Sequence, residues 1–71
     1  MNTKQIEYIL ELAQTGNFNR AAANLYISQP TMTYQIRAAE EDIGFPIFER
    51  SGKGCTLTPA GSQLVISLTN I

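Results

Sequence analysis

The chain has 71 residues, 44% of them apolar, with five basic and six acidic side chains, no histidine and a single cysteine. This is one small domain, long enough to bury about 60% of its unfolded surface and too apolar for a disordered segment. A lone cysteine without histidine excludes an internal disulfide and a zinc cluster. No nucleophile–base pair or metal set can be assembled, so neither an enzyme nor a cofactor is expected. No apolar run approaches the roughly 20 residues of a membrane span. The opening MNTKQIEYIL lacks the basic, apolar, small order of a signal peptide, so a cytoplasmic location is expected.

Ile6, Ile9, Leu10 and Ala13 recur with helical spacing and predict an amphipathic first helix, with Tyr8 and Leu12 as a weaker second row. Asn2 or Thr3 can cap its start, with Gln5 placed to reach back to Asn2, and Thr15-Gly16 stops it. Asn19 is the expected cap of a second helix, whose Ala21, Ala22 and Leu25 form a face of mainly small residues. Small residues allow the close helix crossing of a helix-turn-helix. The turn is Tyr26-Ile27-Ser28, with Ile27 as a buried plug between the helices. Ser28 or Gln29 caps a third helix, and Pro30 suits its first turn. Met32, Ile36, Ala39 and Ile43 form the inward stripe, and Gly44 ends the helix.

Beyond Pro46, the runs Ile47-Phe48-Glu49-Arg50 and Cys55-Thr56-Leu57 are β-prone and flank the turn-rich Ser51-Gly52-Lys53-Gly54. They predict a β-hairpin, in which Cys55 is a small half-buried residue. Thr58-Pro59 caps a last helix with Leu64, Leu68 and Ile71 on one side, and Val65 and Ile66 widen its apolar surface. The expected fold is mainly α: three helices, a hairpin wing and the start of a further helix, a winged helix-turn-helix.

The inward stripe assigns Gln29, Thr31, Thr33, Tyr34 and Arg37 to the opposite face of the third helix. Gln, Thr and Arg suit base edges and phosphates, and the helix N-terminus offers free N–H groups to a phosphate. Arg50 and Lys53 put a basic loop beside that helix, suited to the minor groove or phosphates. The net charge of −1 weighs against a DNA partner, and supports a competing expectation, a winged protein-interaction module. Distribution counts for more than the sum, however. Glu7 and Glu11 lie in the first helix and Glu40, Glu41 and Asp42 cluster at one end of the third, while Arg20, Arg37, Arg50 and Lys53 fall elsewhere.

TGNFNRAA, the tripeptide SQP, QIRAAEEDIG and FPIFERSGKGCTLTPAG, in this order and spacing, resemble the N-terminal DNA-binding domain of LysR-type bacterial transcriptional regulators, over essentially the whole chain. The resemblance implies a sequence-specific reader of double-stranded promoter DNA. Residues 1–58 would be the winged helix-turn-helix, and 59–71 the start of a linker helix that makes a homodimer through Leu64, Leu68 and Ile71. A domain sensing a small-molecule effector would belong to a longer protein, of which this chain is expected to be a fragment. Gln29, Pro30 and Thr31 match the start of the family's recognition helix, Thr33 a place commonly held by Ser, and Arg50 the wing arginine. Arg20 matches an arginine at the start of the second helix. Base readout is thus expected of Gln29, Pro30, Thr31, Thr33 and Tyr34, and phosphate or minor-groove contact of Asn19, Arg20, Ser28, Arg37, Arg50 and Lys53. Four positions depart from the family. Asn19 replaces Ser or Thr, Tyr34 stands where Arg is frequent, and Ala38-Ala39 replaces a frequent Arg-Leu. The missing basic side chains predict weaker non-specific affinity or a different operator, and Ala39 leaves core volume for a neighbour such as Tyr8 or Phe48.

Overall fold

A computed structural model describes residues 1–70, so Ile71 and its expected dimer contact lie outside the described residues. The elements run α1 (Thr3–Thr15), α2 (Phe18–Asn24), α3 (Gln29–Ile43), β1 (Phe48–Ser51), β2 (Gly54–Leu57) and α4 (Pro59–Thr69). This is the expected helix, helix, helix, hairpin, helix order.

Asn2 caps α1 through a reciprocal pair: its side chain accepts the Gln5 N–H at 2.8 Å, and the Gln5 side chain accepts the Asn2 N–H at 3.2 Å. Gly16 closes the helix in the left-handed conformation, φ 65°. The deepest face is Gln5, Tyr8, Ile9 and Leu12, while Ile6, Leu10 and Ala13 are only half-buried. Tyr8 and Leu12 of the weaker row thus lie deeper than Ile6, Leu10 and Ala13 of the stronger one, whose Ile9 alone is fully buried. A broad apolar stripe marks a side of the helix, but α2, α3 and α4, which all pack on α1, decide which part of it lies deepest. Buried Gln5 is satisfied by donating its amide to Gln35 of α3 at 3.2 Å.

The cap of α2 is Asn17, not the expected Asn19. Its side chain accepts the Arg20 N–H at 2.9 Å, and Asn19 sits exposed within the first turn. Gly16 reverses the chain at once, so Asn17 is already extended and the helix starts two residues earlier. At the other end, the Ile27 N–H reaches the Ala22 carbonyl at 3.0 Å and the Tyr26 N–H the Ala23 carbonyl at 3.1 Å. That is a Schellman closure, with Tyr26 at φ 58° in the place usually taken by glycine. Ile27 packs half-buried against the core, as a plug should.

Ser28 caps α3, and Gly44 ends it at φ 92°. Met32, Ile36 and Ala39 are buried and Ile43 is half-buried. Tyr8 and Phe48 belong to the same buried cluster as Ala39.

The wing pairs Phe48 with Leu57 and Ser51 with Gly54. It is tied down at both ends. At its base, the Glu40 carboxylate of α3 accepts the N–H groups of Ile47 and Phe48 at 2.8 and 3.2 Å. Thr58 caps α4 by accepting the Gly61 N–H and donates its hydroxyl to the Pro46 carbonyl at 2.7 Å. Near its tip, the Cys55 N–H donates to the Gly16 carbonyl at 2.9 Å. The approach is so close that a Cβ on Gly54 would stand 2.2 Å from that carbonyl oxygen. On α4, Leu64, Val65 and Leu68 lean half-buried on the chain's own core, and Ile66 is 51% exposed. No helix among the described residues is long and apolar enough to cross a membrane.

Candidate nucleic-acid interface

The outward face of α3 is organised by side-chain hydrogen bonds. The Ser28 hydroxyl accepts the Thr31 N–H at 3.2 Å and donates to the Thr31 hydroxyl at 2.8 Å. One turn on, the Gln29 amide donates to the Thr33 hydroxyl at 2.9 Å. Tyr34 stands 70% exposed beside them, and Arg37 follows, also exposed.

Two open clefts border this face, and a smaller one beneath it, lined by Phe18, Thr33, Arg37, Arg50 and others, includes Glu40. One, of about 360 Å³, lies between the starts of α2 and α3 and the wing, and is lined by Asn19, Gln29, Arg50 and Lys53 among others. The second, of about 430 Å³, runs along α3 past Gln29, Pro30, Thr33, Tyr34, Arg37 and Arg50. Gln29 and Arg50 line both. No carboxylate lines either. The fold thus brings together eight of the expected interface residues. Arg20, Ser28 and Thr31 are exposed but lie outside these clefts, as do Leu64 and Leu68 on α4.

Phe18 carries no signal of its own in the sequence. The Arg50 guanidinium sits 4.2 Å from the centre of its ring. A cation over an aromatic face is held in place while its outer N–H groups remain available. Phe18 therefore aims the wing arginine at the cleft both residues line. Nothing local in the sequence connects the two positions; only the Gly16–Cys55 contact draws the wing onto the start of α2. Glu40 belongs to an acidic cluster in the sequence, yet its carboxylate anchors the start of β1. Burial pushes the Cys55 thiol above its ordinary pKa, with the Arg50 charge opposing the shift. Among the described residues no group of His, Cys, Asp or Glu could hold a metal ion.

Three helices with a sharp α2–α3 turn, an outward polar face on α3 and a basic hairpin beside it define a winged helix-turn-helix domain of the DNA-binding class. The family model described as bacterial regulatory helix-turn-helix protein, lysR family, matches residues 3–62, and the chain belongs to that family. It is 46% identical over 61 residues to the HTH-type transcriptional regulator TfdT of Cupriavidus pinatubonensis, covering 86% of this chain and 27% of that protein. It is 45% identical over 65 residues to the HTH-type transcriptional regulator ClcR of Pseudomonas putida, covering 92% of this chain and 22% of ClcR. The chain thus spans about a quarter of the length of these curated relatives. Among solved structures, a CbnR DBD–DNA complex superposes with TM-score 0.94 at 37% identity, covering 99% of this chain and 80% of that one. A BenM DBD complex with catB site 1 DNA gives TM-score 0.92 at 27% identity, covering 99% and 75%.

Proposed function

We propose that this chain is the DNA-reading part of a LysR-type transcriptional regulator and binds duplex promoter DNA sequence-specifically. The observation that carries the reading is the pair of clefts beside α3, which hold Arg37, Arg50 and Lys53 and no carboxylate. Their basic lining outweighs the acidic net charge that favours a protein-interaction module, with Glu40 and Glu41 bordering only the far side of Arg37. The DNA complexes of CbnR and BenM support the same reading.

In this proposal Gln29, Pro30, Thr31, Thr33 and Tyr34 meet base edges in the major groove. Asn19, Arg20, Arg37, Arg50 and Lys53 hold phosphates or enter the minor groove. Ser28 serves the phosphate side indirectly. Its hydroxyl is committed to Thr31, so it caps α3 and leaves the helix N-terminus to face a phosphate. Residues 1–58 form the reader and 59–71 begin a linker helix. That helix pairs with a second copy through the exposed parts of Leu64 and Leu68, with Ile66 beside them and Ile71 beyond. The protein acts in the cytoplasm, performs no catalysis of its own, and takes any effector through a domain of a longer chain.

Fluorescence anisotropy with a promoter duplex and a scrambled duplex, at low and moderate salt, tests the proposal. The expected result is tight, salt-sensitive binding with preference for the promoter. Failure to bind any duplex at low salt overturns it.

A further inference from the structure

Gln35 is half-buried on α3 and tied to α1 by a relay of hydrogen bonds that starts at a backbone amide. The Asn2 N–H can only donate, and it donates to the Gln5 Oε1 at 3.2 Å. That fixes the sense of the Gln5 amide, whose Nε2–H donates across to the Gln35 Oε1 at 3.2 Å. Turning either amide over would set two donors against each other, so the Gln35 amide has one sense as well. Its oxygen faces Gln5, and the Nε2 group with its N–H donors is turned away from α1. Among the described residues that group has no acceptor in the protein, and no buried side-chain nitrogen or oxygen lacks a partner. The Gln35 Nε2 therefore reaches the surface with its donors free.

The helical period puts Gln35 and Gln29 on opposite flanks of α3, with the inward stripe of Met32, Ile36 and Ala39 between them. Gln29 borders the wing cleft together with Arg50 and Lys53, whereas Gln35 borders α1. A helix about 10–12 Å across fills a major groove about 12 Å wide, so its two flanks face the two rows of phosphates. We propose that Gln35 donates from Nε2 to a phosphate oxygen on the strand across the groove from the wing, and that Gln5 is the positioning residue that keeps those donors outward. The inference rests on the DNA-binding function proposed above and adds to it a contact outside both clefts. A neutral donor releases no counterion, so the contact adds affinity for every sequence without steepening the salt dependence.

The test is an anisotropy titration of a promoter and a scrambled duplex with the wild-type chain, Gln35→Glu and Gln5→Glu, each confirmed folded by its thermal melt. It is repeated on promoter duplexes in which one phosphate at a time is replaced by a neutral methylphosphonate. Gln35→Glu still accepts from Gln5 but has lost its donors and turns a charge toward the phosphate. It is expected to weaken both duplexes alike by about tenfold, the scale of one hydrogen bond to a charged group. Gln5→Glu still accepts the Asn2 N–H but cannot donate, so the Gln35 amide turns over and presents its oxygen. A similar loss is expected, although Gln5 itself is buried. Both losses are expected to disappear at one and the same methylphosphonate. Unchanged binding in either variant overturns the inference. So does relief spread over many phosphates, which marks a remote charge effect, or a loss confined to the promoter, which would make Gln35 a base reader. A wild type that binds no duplex at low salt overturns this inference together with the proposed function, whereas the other failures leave DNA binding standing.

Discussion

Tyr26 is 95% exposed and holds φ 58° at the closure of α2. A non-glycine residue in the left-handed region costs on the order of 1–2 kcal/mol, and asparagine tolerates it better. With almost no packing to lose, Tyr26→Asn is expected to stabilise the fold by about 0.5–1 kcal/mol, read from the midpoint of urea unfolding. A lower midpoint would show that the tyrosine ring makes a stabilising contact. Arg50 is poised differently, over Phe18 and at the junction of both clefts. Arg50→Ala is expected to weaken binding to every duplex and to reduce the salt slope by about one unit. Phe18→Ala, which keeps the charge but removes its platform, is expected to weaken binding less and leave the slope intact. Equal slopes for wild type and Arg50→Ala would remove Arg50 from the phosphate set. Cys55 makes a chemical prediction. Burial favours its protonated thiol, so alkylation by iodoacetamide at mildly alkaline pH is expected to be slow in the native chain and fast in urea. The stabilisation linked to this thiol is complete below its ordinary pKa and is lost as pH rises through the raised native value.

Among the elements, caps were the most legible feature, because a cap is local chemistry. Asn2 with Gln5, Gly16, Ser28, Gly44 and Thr58 all stand where their residue types pointed. The α2 cap did not, since Asn17 and Asn19 are chemically identical choices and only the reversal at Gly16 selects the first. Contacts between elements carried no such local signal. Glu40 sits in a run of three acids, but its carboxylate accepts two N–H groups where β1 begins. Glu40→Ala leaves those donors unpaired in a half-buried site and is expected to cost about 1–3 kcal/mol in urea unfolding, against little for Glu41→Ala, which is exposed. Gly61 gives an opposite-sign test of propensity. Alanine is the better helix former by about 1 kcal/mol, yet a Cβ there would stand 2.1 Å from the Ile47 carbonyl oxygen. Gly61→Ala is therefore expected to lower the melting temperature. An increase would mean that α4 can shift away from β1 without loss.

For the whole molecule, a net charge of −1 coexists with a basic face because the acids are engaged or placed elsewhere. Glu40 holds β1, Asp42 pairs with the N-terminal ammonium and Glu11 accepts from Asn24. With Arg20, Arg37, Arg50 and Lys53 each on a phosphate, the slope of log affinity against log salt is about −3.6 per bound copy. A measured slope near −1 would limit phosphate contact to a single side chain. Assembly belongs to this scale too. Leu64 and Leu68 already lean on the chain's own core, so the surface left for a second copy centres on Ile66. Ile66→Glu is expected to shift the mass seen by light scattering toward monomer while the circular dichroism spectrum stays unchanged. An unaltered mass in a dimeric wild type would place the interface off α4.

By itself the sequence determined what short-range chemistry dictates: the order of elements, most of their caps, the inward stripe of α3 and, as its complement, the polar face proposed to read DNA. Periodicity and capping act within one or two turns, so a single strand of text carries them. The tertiary structure alone decided which residues of α1 lie deepest, where α2 begins, that Glu40 anchors the wing, and that Phe18 carries Arg50. Each of those depends on where a distant backbone comes to rest. The Gly16–Cys55 contact, made by a glycine turn and a strand far apart in the chain, is the physical event that joins the wing to the reading helix and makes one surface of them.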